Sequence, residues 1–239
     1  FSTCCHVRGV MMILTGSRGE LEEKAAGIVA ENLRSILKKQ SQVVLGVVGG
    51  SSVKRVFELL VRESLDWQKV HLFMVDERLV PIEHPDSNFR LAKPYFEKVL
   101  PKKNIHPFLF KPDEEDNGAV CYSSRLQEYG GCFDIILVSS GEDGHIASLF
   151  PGHESVLSES DSFFTFQTSP KPPPGRLTAS RRLLSNSQAG VLLLFGESKV
   201  GAFNNLQSEN VAVSDCPAKL IGTLPEYHIL TDLEVSNND

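Results

Sequence analysis

The chain has 239 residues, of which 41% are hydrophobic and 23% charged, and its formal net charge is −6. This length suits one large α/β domain or two small ones, and the composition is typical of a globular protein. An acidic chain without a lysine- or arginine-rich run argues against binding to nucleic acid or to an anionic membrane surface. No apolar run approaches the roughly 18 residues that would span a bilayer.

Apolar runs and apolar residues at helical spacing predict alternating strands and helices. The predicted strands are 10–14, 42–48, 70–75, 105–110, 133–138, 163–167, 189–195 and 227–230. The predicted helices are 20–39, 53–65, 88–100, 117–128, 177–184 and 198–206, with Pro94 expected to kink the third or to lie in its first turn. This alternation predicts an α/β fold of three layers, with a doubly wound, mostly parallel, Rossmann-like sheet and helices on both faces.

The two ends of the chain and its cysteines give further expectations. Residues 1–10 lack a signal-peptide pattern and precede the pair Met11-Met12, so we predict a disordered extension there and a single domain over 11–239. The five cysteines are odd in number, scattered and without a CxxC pair, which favours reduced thiols in a cytoplasmic protein over disulfides or a zinc site. A monomer or weak homodimer is expected. The cysteines are Cys4, Cys5, Cys121, Cys132 and Cys216.

Three polar turns follow three of the predicted strands, at 49–52, 76–78 and 141–145. The carboxyl ends of parallel strands meet at one edge of a sheet, and open α/β sheets bind their ligands there. The convergence of the three turns therefore predicts one functional site at that edge.

The turn at 141–145 reads Gly-Glu-Asp-Gly-His and follows a buried apolar run. An aspartate such as Asp143 can hold a histidine such as His145 in one tautomer, so that the imidazole serves as a general base. An isolated Asp-Gly-His tripeptide is more often a plain turn with a partly exposed histidine. The two neighbouring turns favour the catalytic interpretation.

The first turn consists of Gly49, Gly50, Ser51 and Ser52, at the start of a predicted helix. Backbone N–H groups and hydroxyls at a helix N-terminus suit an anion, although a plain capped turn would look the same. The segment is neither a dinucleotide fingerprint nor a P-loop, since Gly-x-Gly-x-x-Gly and Gly-Lys-Ser/Thr are both absent.

Four charged residues could complete the site or could equally be solvated surface groups. Asp76 and Arg78 could supply a carboxylate and a cation at a strand end. Arg176 follows a proline-rich loop, and Lys199 lies in the first turn of a predicted helix. A cation in that position opposes the helix dipole, and an anionic ligand would offset the cost.

Several longer motifs occur in order along the chain. They are Gly-Gly-Ser at 49–51, Asp-Glu-Arg-Leu-Val-Pro at 76–81, Asp-Ser-Asn at 86–88, Gly-Glu-Asp-Gly-His at 141–145, Ser-Leu-Phe-Pro at 148–151, Pro-Lys-Pro-Pro-Pro at 170–174, Arg-Leu-Thr at 176–178 and Gly-Glu-Ser-Lys at 196–199. With these motifs, over about residues 14–230, the chain resembles the glucosamine-6-phosphate isomerase/6-phosphogluconolactonase family.

The resemblance implies hydrolysis of 6-phosphoglucono-δ-lactone to 6-phosphogluconate, in the oxidative pentose phosphate pathway. It implies no metal and no organic cofactor, and a phosphorylated sugar lactone as the small-molecule partner. The family histidine that serves as base corresponds to His145, and the residues that hold the phosphate correspond to Ser51, Arg176 and Lys199.

The remaining roles follow from the chemistry of opening a lactone, which needs an activated water and a stabilised oxyanion. We expect Asp143 to orient His145, and Arg78 to lie near the carbonyl or ring oxygen of the lactone. Asp76 is expected to orient Arg78 or to bind sugar hydroxyls.

Two departures from the family pattern bear on substrate geometry. Ser52-Val53 stands where the family has Thr-Pro, and Ser139-Ser140 stands where it has Leu-Gly.

Two alternatives to a lactonase remain. An aminosugar-phosphate deaminase/isomerase of the same family would carry a further carboxylate where Ser148 stands, and Tyr in place of Arg78. A sugar-phosphate-sensing module would need the phosphate pocket but not His145, and would normally carry a DNA-binding segment, which the sequence does not show.

Overall fold

The computed structural model describes residues 10–233. The strands are β1 (Val10–Thr15), β2 (Val43–Val47), β3 (Val70–Met74), β4 (Asp76–Arg78), β5 (Ile105–His106), β6 (Ile135–Ser139), β7 (Phe163–Phe166), β8 (Arg176–Ala179), β9 (Ala189–Leu194) and β10 (Glu226–Thr231). The α-helices are α1 (Arg18–Leu37), α2 (Lys54–Leu60), α3 (Asn88–Phe96), α4 (Ala119–Gln127), α5 (Glu154–Leu157), α6 (Arg181–Ser185) and α7 (Val200–Gln207).

Seven strands form one parallel sheet in the order β1-β10-β9-β6-β2-β3-β5. Every residue of β2, β3 and β9 is buried, so both faces of the sheet are covered, as continuous apolar strands require. The predicted α/β class with a mostly parallel sheet is confirmed. The strands β6, β2 and β3 are neighbours, so the segments that follow them lie side by side at one edge.

A second sheet, which the sequence did not indicate, has three antiparallel strands in the order β4-β8-β7. The expectation of a turn at 76–78 is wrong, because these residues form β4 and pair with β8, with Asp76 opposite Thr178 and Arg78 opposite Arg176. The helix expected at 177–184 is also wrong in its first half. Leu177 and Ala179 are buried in β8, and the helix begins only after its N-cap Ser180.

Most other boundaries agree with the sequence to within a few residues. Pro94 lies in the last turn of α3 rather than in its first. Ser51–Val53 and Glu197–Lys199 are short 3-10 turns that lead into α2 and α7, so Lys199 immediately precedes α7.

Some predictions from the sequence are tested only partly, or not at all, by residues 10–233. Val10 begins β1, and the other residues of the expected extension 1–10 lie outside the described range. Within residues 10–233, Cys121, Cys132 and Cys216 are free thiols. Across the same range, the structure holds no helix whose length and apolar character would let it cross a membrane. The single domain and the monomer or weak homodimer stay predictions.

Candidate active site

A cavity of about 400 Å³ opens at the carboxyl edge of β6, β2 and β3. The three segments that were expected to converge all contribute to its wall. The predicted site residues that line it are Gly49, Gly50, Ser51, Ser52, Asp76, Arg78, His145, Arg176 and Lys199. Asp143 lies behind this wall, in contact with His145.

The segment after β6 holds His145 against Asp143. The Nδ1 atom of His145 lies 2.5 Å from Oδ1 of Asp143, and the histidine ring also packs on Phe150 at 4.9 Å between ring centroids. Gly141 is required here, because a Cβ at that position would overlap the imidazole and the carboxylate. The backbone N–H of Gly141 donates to the carbonyl of His145 at 2.9 Å, which closes the turn.

The protonation state of Asp143 determines the tautomer of His145. Burial acts to raise the pKa of Asp143, but the hydrogen bond and charge of His145, together with Lys171, hold that pKa well below its usual range. An ionised carboxylate can only accept, so Nδ1 of His145 donates the hydrogen and Nε2 keeps its lone pair. This is the arrangement that a general base needs.

The small sheet places two guanidinium groups side by side. Arg78 and Arg176 are directly opposite on β4 and β8, so their side chains share one face of the sheet. Nη2 of Arg176 donates to the carbonyl oxygens of Lys171 at 2.9 Å and Pro172 at 3.1 Å. Among the described residues, Nε of Arg78 and Nη1 of Arg176 are buried and have no hydrogen-bond partner.

Unpaired buried donors and adjacent like charges are both unfavourable unless an acceptor arrives. Burial lowers the pKa of the Arg176 guanidinium, the charge of Asp76 acts to raise it, and Arg78 lowers it further. Burial likewise lowers the pKa of Lys199, and the charge of Lys171 lowers it further. The cavity wall therefore concentrates positive charge, which suits an anionic ligand.

Asp76 is buried at the junction of the two sheets. Its Oδ2 accepts a hydrogen bond from Oγ of Ser148 at 2.8 Å, and its Oδ1 accepts one from Nδ2 of Asn88 at 3.2 Å. Nη1 of Arg78 donates to Oδ1 of Asn88 and, at 2.8 Å, to the carbonyl of Asp86. Asn88 thus connects Asp76 to Arg78, and the surface charge cluster considered for 76–78 is excluded by burial.

Glu77, on the opposite face of β4, has a structural role at the start of α3. Its carboxylate accepts backbone N–H groups of Arg78 at 2.8 Å, Asn88 at 2.6 Å and Phe89 at 2.7 Å, and the hydroxyl of Ser87 at 3.1 Å. Burial raises the pKa of Glu77 to about 7, and the three N–H groups act in the opposite direction. This carboxylate fixes β4 to α3, and so positions Asn88 and Arg78.

The turn after β2 completes the wall. Gly49 meets Asn88 so closely that a Cβ there would overlap the amide oxygen of Asn88. Ser51 is exposed at the start of its 3-10 turn, and Ser52 is half-buried. The turn thus presents its hydroxyls at the mouth of the cavity.

Sequence reasoning assigned no role to two residues that the structure brings into the site. Asn88 and Lys171 line the cavity and lie inside family motifs. Neither directly follows a strand of the large sheet, and a position just after such a strand is the main pattern that predicts site residues from the sequence. Within the described part of the chain, no group of three or more His, Cys, Asp or Glu side chains could hold a metal ion.

The chain belongs to the glucosamine-6-phosphate isomerase/6-phosphogluconolactonase family, since residues 16–228 match the family model of that description. The expected family membership is therefore confirmed. The description of this family names two kinds of enzyme, glucosamine-6-phosphate isomerases and 6-phosphogluconolactonases.

Two relatives that are similar to this chain both carry the name 6-phosphogluconolactonase. The chain is similar to the 6-phosphogluconolactonase of Borreliella burgdorferi, with 32% identity over 202 residues that cover 82% of this chain and 86% of that protein. It is similar to the 6-phosphogluconolactonase of Synechocystis sp., with 32% identity over 227 residues, 91% of this chain and 93% of that protein.

A solved structure shows the same fold. The 6-phosphogluconolactonase of Shewanella baltica superimposes with a TM-score of 0.81 at 22% identity, over 95% of this chain and 99% of that one.

Proposed function

We propose that this chain is a 6-phosphogluconolactonase, which hydrolyses 6-phosphoglucono-δ-lactone to 6-phosphogluconate in the oxidative pentose phosphate pathway. The relatives at 32% identity over most of both chains support this activity. The observation that carries the proposal is one cavity that holds an aspartate-oriented histidine and two guanidinium groups, each with one buried nitrogen that has no partner among the described residues.

The proposed base is Nε2 of His145, whose other nitrogen is occupied by Asp143. It removes a proton from a water molecule as the water oxygen attacks the lactone carbonyl carbon. The tetrahedral intermediate collapses with cleavage of the bond between that carbon and the ring oxygen, which receives the proton from the imidazolium. Water is thereby added across the ester bond, and the chemistry needs no metal and no organic cofactor.

Arg78 is the proposed cation for the negative charge that develops on the carbonyl oxygen. Asn88 and the carbonyl of Asp86 hold one of its nitrogens, while its Nε has no partner among the described residues. Asp76 fixes this arrangement through Asn88. A donor that is already oriented before the reaction stabilises an oxyanion without reorganisation.

The phosphate is proposed to bind between Arg176, Lys199 and the Gly49–Ser52 turn. Arg176 lines the cavity and is held by two backbone carbonyls, and its Nη1 has no partner among the described residues. Binding energy from this remote group positions the lactone beside His145.

The deciding experiment measures hydrolysis of the phosphorylated lactone and of glucono-δ-lactone itself, with the spontaneous rate subtracted. We expect catalysis of the first with a much higher kcat/KM than of the second. Absence of enzymatic hydrolysis of the phosphorylated lactone would refute the proposal.

The alternative, deamination of glucosamine 6-phosphate, predicts release of ammonia from that compound. Ser148 stands where such enzymes carry a carboxylate, and its hydroxyl is engaged by Asp76. We therefore expect no ammonia, and release at a rate comparable to lactone hydrolysis would favour the deaminase.

For the compartment, we propose the cytoplasm, supported by the free thiols of Cys121, Cys132 and Cys216. Some relatives, such as one from rice that is named chloroplastic, are assigned to a plastid by their names. Mass spectrometry of the native protein without reductant should find five free thiols, and an intramolecular disulfide would contradict the proposal.

A further inference from the structure

The proline-rich loop between β7 and β8 contacts both halves of the site through a single residue, Lys171. Its Nζ lies 3.2 Å from Oδ2 of Asp143 and 3.9 Å from Oε1 of Glu142. Its carbonyl oxygen accepts the hydrogen bond from Nη2 of Arg176 at 2.9 Å. The side chain thus reaches Asp143, the partner of the proposed base, while the backbone holds Arg176 of the proposed phosphate anchor.

The backbone of Lys171 is itself fixed in place. The hydroxyl of Ser169 donates to the carbonyl of Lys171 at 2.8 Å and accepts from its N–H at 3.2 Å, and the N–H of Ser169 donates to the carbonyl of Pro174 at 3.1 Å. A lysine on such a closed loop loses less conformational freedom when it forms an ion pair than one on a mobile loop.

We propose that Lys171 is a positioning residue for catalysis, which completes a cation–carboxylate–imidazole chain from Lys171 through Asp143 to His145. The inference rests on the proposed role of His145 as the base. One oxygen of Asp143 binds the ammonium and the other binds the imidazole, so the carboxylate is held from both sides. The orientation of the imidazole is then set by Lys171 as well as by Asp143.

The charge of Lys171 also acts on His145 through Asp143. A carboxylate stabilises an adjacent imidazolium, and a cation on the far side of that carboxylate weakens this stabilisation. Removal of the Lys171 charge would leave the full charge of Asp143 to favour the protonated, inactive imidazole. The acid limb of the activity profile would then move to higher pH.

Several other groups face the pair. Glu142 adds a second negative charge beside Lys171, and Lys199 lies close enough for Lys171, Glu142 and Asp143 to act on its pKa. Cys216 lies beneath the turn, where burial raises the pKa of its thiol and so keeps it neutral, and the ring of Phe150 covers the imidazole. Lys171 is the cation in direct contact with Asp143.

A direct contact between Lys171 and the substrate phosphate is the competing role, since Lys171 also lines the cavity. The two roles differ in what they affect. A positioning residue acts on kcat for any lactone, whereas a phosphate ligand acts on the affinity for the phosphorylated lactone alone.

The test compares Lys171→Met with Lys171→Arg, which keeps the charge. For Lys171→Met we expect kcat to fall by roughly three- to tenfold on both the phosphorylated and the unphosphorylated lactone, with KM little changed. Its acid limb should lie on the order of half a pH unit higher than in the wild type. Lys171→Arg should retain the wild-type limb.

An NMR titration of the imidazole signals of His145 gives a readout that needs no activity. Those signals should titrate at higher pH in Lys171→Met, or in Lys171→Gln if the methionine variant does not fold. If the wild type hydrolyses neither lactone, the proposed function fails while this titration still tests the link between Lys171 and His145.

An unchanged acid limb and an unchanged His145 titration in Lys171→Met would overturn the inference. So would a loss confined to KM for the phosphorylated lactone, which would identify Lys171 as a phosphate ligand instead.

Discussion

The two sheets contribute to the site in different ways. The large parallel sheet supplies the proposed base on a turn after β6, where the His145 side chain is 20% exposed and its partner Asp143 is 32% exposed. The small antiparallel sheet supplies Arg176, one part of the proposed phosphate anchor, from within a strand, where this residue is only 3% exposed. Chemistry that needs access to water is thus placed on a turn, and charge that must act at low dielectric is placed in a strand.

The largest effect is expected from His145→Ala, which tests whether the turn after β6 of the large sheet supplies the base. Removal of a general base costs roughly 10²–10⁴-fold in kcat, and KM should change little because the anchor in the small sheet is untouched. The exposed His84 is the matched control, and His84→Ala should keep nearly all of the activity. If His145→Ala retains most of the rate after background correction, His145 is not the base, and the buried carboxylates of β4 become the candidates.

A smaller effect is expected from the small sheet, through Arg176→Ala. Charge-assisted hydrogen bonds are worth roughly 1.5–3 kcal/mol, so kcat/KM for the phosphorylated lactone should fall on the order of tenfold to a hundredfold. The unphosphorylated lactone should be affected far less. Arg181, which pairs with Glu159 on the surface, gives a control arginine-to-alanine variant. Equal losses on both lactones would remove the distinction between the two sheets.

The contact between the sheets can be tested with Ser148→Ala. This residue lies between β4 and β7 in the chain, outside both sheets, and donates to Asp76 of β4, so its loss leaves a buried carboxylate oxygen with one donor fewer. We expect a destabilisation of about 1–3 kcal/mol and a loss of activity below that of Arg176→Ala. Ser187 is equally buried and its hydroxyl has no partner in the described structure, so Ser187→Ala is the matched control in denaturant unfolding. Equal destabilisation by both variants would show that the Ser148–Asp76 hydrogen bond contributes nothing.

The same contrast explains what the sequence could predict. His145 was found because a glycine-rich turn after an apolar strand is a local pattern, and strand order then brings it to the edge of the sheet. The predictions for 76–78 and 177–184 are wrong because β4 and β8 are short, and β4 pairs only with β8, about a hundred residues later in the chain. Pairing between strands so far apart in the chain leaves no periodic pattern in the local sequence from which it could be predicted.

Lys171 shows a second limit of what can be predicted from the sequence. Its position in a proline-rich loop gives no hint of a contact with Asp143, which depends on where the loop returns from β7 to β8. The resemblance to the family supplied the phosphate-binding role of Arg176 and Lys199. That Arg78 and Arg176 lie opposite each other became evident only from the register of the small sheet.

The large sheet also holds a pair of histidines away from the site. This pair allows an effect on stability to be distinguished from an effect on catalysis. Nδ1 of His71 lies 3.1 Å from Nε2 of His106, with Phe73 and Tyr129 stacked against the rings. Burial lowers the pKa of His71, and burial together with the charge of His71 lowers the pKa of His106 to about 4. A single hydrogen joins the two nitrogens, so protonation of both rings would break this contact.

The smallest expected effect is therefore one of pH on stability, measured as the free energy of unfolding between pH 7 and pH 4. Because the folded pKa of His106 lies below the unfolded value of about 6.5, the unfolded chain binds more protons in the window from 6.5 to 4. Stability should fall as the pH falls through that window, by roughly 1–2 kcal/mol from this residue, since the ring borders a surface groove whose polarity reduces the cost of its charge. His106→Gln cannot take up this proton, so its unfolding free energy should depend less on pH, while lactone hydrolysis near neutral pH should remain close to wild type. The same pH dependence in both proteins would place the loss of stability elsewhere, and a large loss of activity at neutral pH would show that this edge of the sheet is coupled to the site after all.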